Sequence, residues 1–304
     1  MEKINEELSC LLLVKFQDRL NYVISTLKSK GINVNLPEST KFHIEITDDI
    51  SEEQIKNIIL ESTKTAYSPY TKTIYIHNTF VNAPQLEYHF SKRMLEHMTT
   101  KTDGDKILSG ISITGENINY NHSLNQAMIE SLTNTILGNE TMDEDTFSKY
   151  IIERHHLGLI QNIVGLETML NSFFNSDYLS LETQFESYGT KFKPLVEQMD
   201  TLTRVNYDLS YTPKPGEENL AVDIFTKILE AYTRKSAKNR KIENKEDFEN
   251  HIINPQTVRG AFGTTEKTGY TGVEKNLHAF KSVIKGLESA NKLLIEKEPT
   301  RSIW

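Results

Sequence analysis

Arg93 and His97 stand four residues apart in a stretch whose apolar residues recur at helical spacing. Side chains at positions i and i+4 of a helix lie side by side, so two imidazoles at this spacing could hold one metal ion. Arg93 changes that chemistry, because a guanidinium stays protonated at neutral pH and has no lone pair to offer a cation. The spacing of a metal site is therefore present, but one of the two ligands is replaced.

Two predicted helices would position these side chains. The first covers residues 85–100 and follows Pro84, which suits the first turn of a helix; Arg93 and His97 share one of its faces with core residues. The second begins near Ser123 and continues to Gly138. We expect the two helices to pack together.

Strands and helices alternate through the first part of the chain. An apolar repeat followed by Gly31 predicts a long first helix, and alternating apolar and polar residues predict short strands. The predicted elements are a helix over 4–30, a strand over 42–46, a helix from 51 to about 66, the strand Thr73–His77, and a hairpin made of 107–113 and 118–120.

The strand signals stop after Asp143, and helical patterns follow. These patterns cover 147–164, 166–174, 179–188, 194–209, 220–232 and 273–296, and a loop is predicted over 254–272. The sequence thus predicts an α+β protein in which a small sheet packs on the two motif helices and an all-helical part follows. The predicted domains are residues 1–140 and 141–304.

Composition excludes several classes of function. The chain carries 42 acidic and 34 basic residues, a net charge of -8, so we expect no general attraction to nucleic acid. A single cysteine, Cys10, excludes an internal disulfide and a cysteine-rich zinc site. The longest apolar run, residues 11–14, is too short to span a membrane. We expect a soluble, cytoplasmic protein that binds neither membrane nor nucleic acid.

The order of a strand, the helix with Arg93 and His97, a hairpin and the second helix resembles the gluzincin metallopeptidases, the thermolysin-like branch of the zincins. In that family a first helix carries H-E-x-x-H and a second carries N-E-x-x-x-[DE]. The resemblance implies two zinc-binding histidines and a catalytic glutamate on the first helix. It implies a third zinc ligand and an acidic partner of the first histidine on the second.

By position, Arg93 replaces the first zinc-binding histidine, Met94 replaces the catalytic glutamate, and His97 matches the second histidine. On the second helix Asn125 matches the family asparagine and Gln126 replaces the third ligand, while Glu130 matches the acidic partner. A thioether cannot take a proton from water, and an amide oxygen is a weak ligand. The resemblance therefore implies a site that has lost both its zinc and its catalytic base.

An ion pair between Arg93 and Glu130 is the first structural prediction of this resemblance, since the two would lie next to each other where metal coordination would have been. An alternative metal site would use His97 and His122 with Glu96 or Glu130. These two possibilities predict different neighbours for Glu130.

The resemblance implies an inactive peptidase that binds a peptide or protein partner, with neither zinc nor another cofactor. In the family, substrate peptides lie along the edge strand beside the site helix, and Thr73–His77 is the candidate here. Two alternatives stay open: an active metal-dependent hydrolase with rearranged ligands, and a non-enzymatic helical scaffold or assembly protein unrelated to zincins. The sequence leaves the oligomeric state undetermined.

Overall fold

The chain forms two compact units. The computed structural model describes residues 2–48, 50, 64–116, 118–138, 150–208, 210–217 and 220–238. The first unit comprises Met1–Tyr150 and Leu166–Leu181, and the second comprises Ile151–Gly165 and Glu182–Trp304. The predicted boundary between residues 140 and 141 lies outside the described residues, as do the predicted helix over 273–296 and the loop over 254–272.

Eight helices are described, and most begin and end within a few residues of their predicted positions. They are α1 (Glu2–Ser29), α2 (Leu86–Thr99), α3 (His122–Leu137), α4 (Ile151–Val164), α5 (Leu166–Asn175), α6 (Tyr178–Glu186), α7 (Phe192–Tyr207) and α8 (Leu220–Lys238). The two helices that carry the candidate site, α2 and α3, pack against each other as predicted.

The first sheet contains β1 (His43–Thr47), β2 (Thr65–Ser68) and β3 (Thr73–His77) in the order β1-β3-β2. β3 runs parallel to β1 and antiparallel to β2. β3 is therefore the central strand, and the prediction that Thr73–His77 is the edge strand beside the site helix is wrong. The strand that packs on α2 at the sheet edge is β2, where the sequence predicted the end of a helix.

The second sheet is a four-stranded antiparallel meander of β4 (Thr100–Asp103), β5 (Lys106–Ser109), β6 (Ser112–Gly115) and β7 (Ile118–Tyr120). The predicted single strand over 107–113 is two strands joined by a turn at Gly110. Gly110 has φ +57, and a Cβ there would lie 2.2 Å from the Asn125 side chain. The backbone N–H of Ile111 donates to Asn125 Oδ1 at 3.0 Å, and its carbonyl accepts from Asn121 Nδ2 at 2.8 Å. These side-chain bonds hold the turn against α3.

Helix α2 lies in the middle of the first unit. It packs against α1, α3 and α5 and against β2, β3 and β5. α1 contributes a buried stripe of Leu12, Phe16 and Leu20, which recur every four residues on one helix face. This arrangement encloses α2 from several sides and places its polar residues in the interior.

The described elements from residue 150 to residue 238 are all helices, and the mixed α+β class is confirmed. Within the second unit, α8 packs against both α4 and α7. Across the described residues, no helix combines the length and the apolar character needed to cross a membrane.

Candidate functional site

Helix α2 carries an unusual number of buried polar side chains. Eleven of its 14 residues are buried, among them Lys92, Arg93, Glu96 and His97. A buried charge is costly unless a counter-charge and hydrogen bonds compensate it. The partners of these four side chains therefore decide what the site can do.

Arg93 binds the carboxylate of Glu96, one turn further along the same helix. Its Nη1 lies 2.7 Å from both Oε1 and Oε2 of Glu96, and its Nε donates to Thr65 Oγ1 of β2 at 3.4 Å. The guanidinium is 1% exposed, so this pair is shielded from water. Arg93 thus points toward β2, with its charge compensated within α2.

Glu130 of α3 is paired with Lys92 of α2. The Lys92 ammonium lies 2.5 Å from Glu130 Oε1, and the Tyr88 hydroxyl donates to Oε2. Burial lowers the pKa of Lys92 to about 8, against the opposing influence of the Glu96 charge, so the ammonium is still protonated at pH 7. Lys92 and Glu130 form an ion pair that joins the two helices.

The predicted Arg93–Glu130 ion pair is therefore wrong, because each residue is paired elsewhere. Adjacent residues on a helix point about 100° apart. α2 directs Tyr88 and Lys92 toward α3, whereas Arg93 faces β2. A rotation of one residue position separates the predicted contact from the observed one.

Both ring nitrogens of His97 form hydrogen bonds with other residues of the chain. Nε2 lies 3.1 Å from the carbonyl and the hydroxyl oxygens of Thr40, and Nδ1 lies 3.2 Å from the Tyr67 hydroxyl. These partners fit the neutral tautomer in which Nε2–H donates to Thr40 and Nδ1 accepts from Tyr67. Burial lowers the pKa of His97, the Thr40 carbonyl opposes this, and the nearby Lys72 charge lowers it further.

The segment that reaches His97 is anchored at its other end by α5. Asn171 Oδ1 accepts from the backbone N–H of Asn35 at 2.9 Å, and Asn171 Nδ2 donates to the Asn33 carbonyl at 2.9 Å. Near Thr40, the Phe42 ring lies against the His97 ring with centroids 4.8 Å apart. Residues 33–42 thus form a strap that runs from α5 to His97 and covers the imidazole.

Met94 and Gln126 are also buried. The zincin resemblance predicts that they take the positions of the catalytic base and the third ligand. Gln126 Oε1 has no hydrogen-bond partner among the described residues. An amide oxygen is neutral and a weak ligand, Arg93 has no lone pair to donate, and both nitrogens of His97 are occupied. The residues at these positions do not fit a zinc ion.

The alternative metal site needs His122 and Glu130 together. His122 is the first residue of α3 and Glu130 is eight residues further on, an axial separation of about 12 Å. The Glu130 carboxylate already binds Lys92 and Tyr88. Within the described ranges, no group of three or more His, Cys, Asp or Glu side chains could hold a metal ion. The site with rearranged ligands stays an untested hypothesis.

A different buried polar group lies in the second unit, between α4 and α7. Glu153 of α4 is 1% exposed and accepts a hydrogen bond from the Thr203 hydroxyl of α7 at 2.6 Å. Burial raises the pKa of the Glu153 carboxyl, and the hydrogen bond from Thr203 opposes this rise. Glu153 thus lies in an interior that favours its protonated form.

Sequence reasoning missed several residues of the site, chiefly Lys92, Glu96, Thr40 and Tyr67. A signal for the first two was present. The charged residues at 92, 93 and 96 lie within about 100° of one another around the helix axis, and a helix with core residues all round must bury some of them. No local signal indicates Thr40, which lies 57 residues from His97. Comparison with protein-family models, with curated proteins and with solved structures finds no match to this chain.

Proposed function

We propose that this chain is a non-catalytic relative of the gluzincin metallopeptidases and acts by binding a peptide or protein partner. One observation carries the proposal: the side chains at the expected ligand positions of α2 are engaged within the protein. Arg93 is paired with Glu96, and His97 bonds to Thr40 and Tyr67. A peptidase needs an open metal position and a base beside it. Under this proposal, no residue of this chain holds a catalytic metal and none acts as the base.

The edge of the first sheet that best suits a partner peptide is β1. All four residues of β2 are buried, whereas His43 and Glu45 of β1 are exposed. Among the described strands, β1 pairs with β3 alone. An extended peptide that pairs with an exposed strand gains affinity from backbone hydrogen bonds. We therefore propose β1, rather than β3, as the edge strand along which a peptide would lie.

Backbone geometry identifies which groups of β1 would bind the peptide. The N–H of His43 donates to the Lys72 carbonyl at 2.9 Å, toward β3. Because successive N–H groups of a strand point in opposite directions, those of Ile44 and Ile46 point to the free edge. Their carbonyls lie on the same side and would accept hydrogen bonds from the peptide.

Random peptides displayed on phage test this proposal directly. We expect selected peptides to bind the protein and to remain intact, as mass spectrometry would show. Ile46→Pro, which removes an outward N–H, should abolish binding, and Ile46→Val, which keeps it, should not. A thermal melt of each variant checks that the fold persists. Cleavage of the peptides that a chelator abolishes would contradict the proposal, as would binding that Ile46→Pro and Ile44→Pro both leave unchanged.

The zincin relationship itself has a separate test by restoration of the ligands. Arg93→His with Gln126→Glu should create a zinc site if α2 and α3 are arranged as in the family, and Arg93→His alone should bind zinc far more weakly. Addition of Met94→Glu supplies the base, and we expect chelator-sensitive peptide cleavage only then. A folded variant with all three changes that binds no zinc would contradict the relationship.

A further inference from the structure

The outer face of α1 exposes a stripe of large apolar side chains. Leu11, Val14 and Tyr22 are 53%, 51% and 73% exposed, and they are three of the five large apolar side chains described as exposed. Positions 11, 14 and 22 lie within about 80° of one another around the helix axis, opposite the buried stripe of Leu12, Phe16 and Leu20. Asp18 is also exposed and lies on the same face, between Val14 and Tyr22. The solvent-facing side of α1 therefore carries three large apolar side chains around one carboxylate.

The charges of α1 differ between its two halves. Residues 2–14 hold three acidic residues and one basic residue, and residues 15–29 hold three basic residues and one acidic residue. The acidic residues of the first half are Glu2, Glu6 and Glu7, and the basic residues of the second half are Lys15, Arg19 and Lys28. Two such helices attract each other when antiparallel and repel each other when parallel.

Two basic residues of α1 form ion pairs within the first unit. Glu87 of α2 pairs with Arg19 at 3.1 Å and with Lys15 at 3.7 Å. The Lys15 side chain remains 46% exposed, and Lys28 is exposed in the last turn. Glu7 is exposed in the first half of the helix. Charges of opposite sign therefore remain accessible at the two ends of the stripe.

We propose that α1 pairs with the α1 of a second copy of this chain in an antiparallel, two-fold symmetric contact. A two-fold axis midway between Leu11 and Tyr22 places Leu11 of each helix opposite Tyr22 of the other and Lys15 opposite Asp18. It also brings the acidic half of each helix against the basic half of the other. The helix has 28 residues and is about 42 Å long, enough for an extended interface. This inference is independent of the proposed peptide-binding function.

Sedimentation of the full chain across the micromolar range tests the contact. We expect wild type to dimerise and the double variant Leu11→Glu with Tyr22→Glu to be monomeric over the same range. Gln17→Glu is the matched control, because Gln17 is exposed on α1 outside the stripe; this variant should still dimerise. All three substitutions are at exposed positions, so far-UV circular dichroism should show the same helix content in every variant. A monomeric wild type, or a double variant that still dimerises, would overturn the proposal.

Cys10 reports the direction of the two helices. It is exposed and is the single cysteine of the chain. In the antiparallel contact the two Cys10 residues lie about 20 Å apart along the axis, too far for a disulfide. Oxidation of wild type should give no covalent dimer, whereas a Cys10→Ser chain with Leu11→Cys and Tyr22→Cys should give one. A Cys10→Ser chain with Leu11→Cys alone should not. A disulfide-linked wild type would overturn the antiparallel arrangement.

Discussion

The two compact units bury ionisable groups in different ways. In the first unit, Lys92 and Arg93 of α2 bind Glu130 and Glu96, so that two cations face two anions. In the second unit, Glu153 of α4 accepts a hydrogen bond from the Thr203 hydroxyl. A counter-charge compensates the loss of hydration, whereas a single hydroxyl compensates only part of it. The interior of the first unit therefore keeps its side chains charged, whereas that of the second favours a neutral carboxyl at Glu153.

Removal of one partner from the Lys92–Glu130 pair should have the largest effect. Glu130→Leu leaves the buried ammonium without its counter-charge and should destabilise the protein by about 3–5 kcal/mol. Lys92→Met in the same chain should recover much of that loss, because no unpaired charge then remains in the interior. Urea unfolding of the two single variants and the double variant measures the coupling between the residues.

The same cycle with Arg93 is the control for this coupling. Arg93→Met and Glu130→Leu should be closer to additive, since Arg93 is paired with Glu96 rather than with Glu130. A stronger coupling of Glu130 to Arg93 than to Lys92 would support the Arg93–Glu130 ion pair predicted from the sequence. It would contradict the Lys92–Glu130 pair of the structure.

The Arg93–Glu96 pair should tolerate no other cation well. Arg93→Lys loses the Nε–H bond to Thr65, and the shorter lysine side chain must reach the Glu96 carboxylate that Nη1 of Arg93 contacts. We expect a loss of about 1–2 kcal/mol. Arg19→Lys is the control, because the Arg19–Glu87 pair is more exposed, with side chains 32% and 19% accessible; it should change stability by less than about 0.5 kcal/mol. Equal losses of stability in the two variants would mean that burial does not strengthen the Arg93–Glu96 pair.

Glu153 should show the opposite pH dependence from a paired carboxylate. A pKa raised in the folded state means that the folded chain holds the proton more tightly, so this group favours folding below its ordinary pKa and loses that contribution as pH rises through the folded pKa. Glu153→Gln should therefore raise the melting temperature at pH 8 and change little at pH 4, an effect on the order of 1 kcal/mol. Glu197→Gln, at an exposed position of α7, is the control. A lower stability of Glu153→Gln at pH 8 would contradict this account, because it would mean that the interior stabilises the ionised carboxylate.

The smallest effect concerns the protonation of His97. Because the pKa of His97 is lowered in the folded state, the unfolded chain binds the proton more readily, and stability should fall as pH drops below the ordinary histidine value of 6.5. Nitrogen NMR of labelled histidine should show a neutral ring with the proton on Nε2 and a titration midpoint below that value. A proton on Nδ1 would contradict the hydrogen bonds assigned to Thr40 and Tyr67.

The helices and most strands of the first unit were predictable because their apolar residues follow a simple period. α1, α2, α3 and β3 were located to within about two residues from that period and from the Gly and Pro residues that bound them. β2 was not found, since its residues, Thr65–Ser68, lie next to a stretch with a helical pattern. The turn at Gly110 was also missed, because it depends on the side chains of Asn121, which precedes α3, and of Asn125 within it.

The candidate site was predictable in its residues but not in its contacts. Spacing alone placed Arg93 and His97 on a buried face of α2, and both are buried. The partner of Glu130 depends on how α2 is rotated about its axis, and a difference of one residue exchanges Arg93 for Lys92. The bond between His97 and Thr40 joins distant parts of the chain, and such contacts have no signature in a single sequence.

Metal content tests most directly whether internal ion pairs and hydrogen bonds, rather than a metal ion, engage Arg93 and His97 of α2. The protein would be purified without a metal-affinity tag, examined by elemental analysis, and melted in the presence of zinc and of a chelator. The account predicts no stoichiometric zinc and the same melting temperature in both conditions. Stoichiometric zinc together with a loss of stability in chelator would contradict it, because metal that binds the folded chain stabilises it.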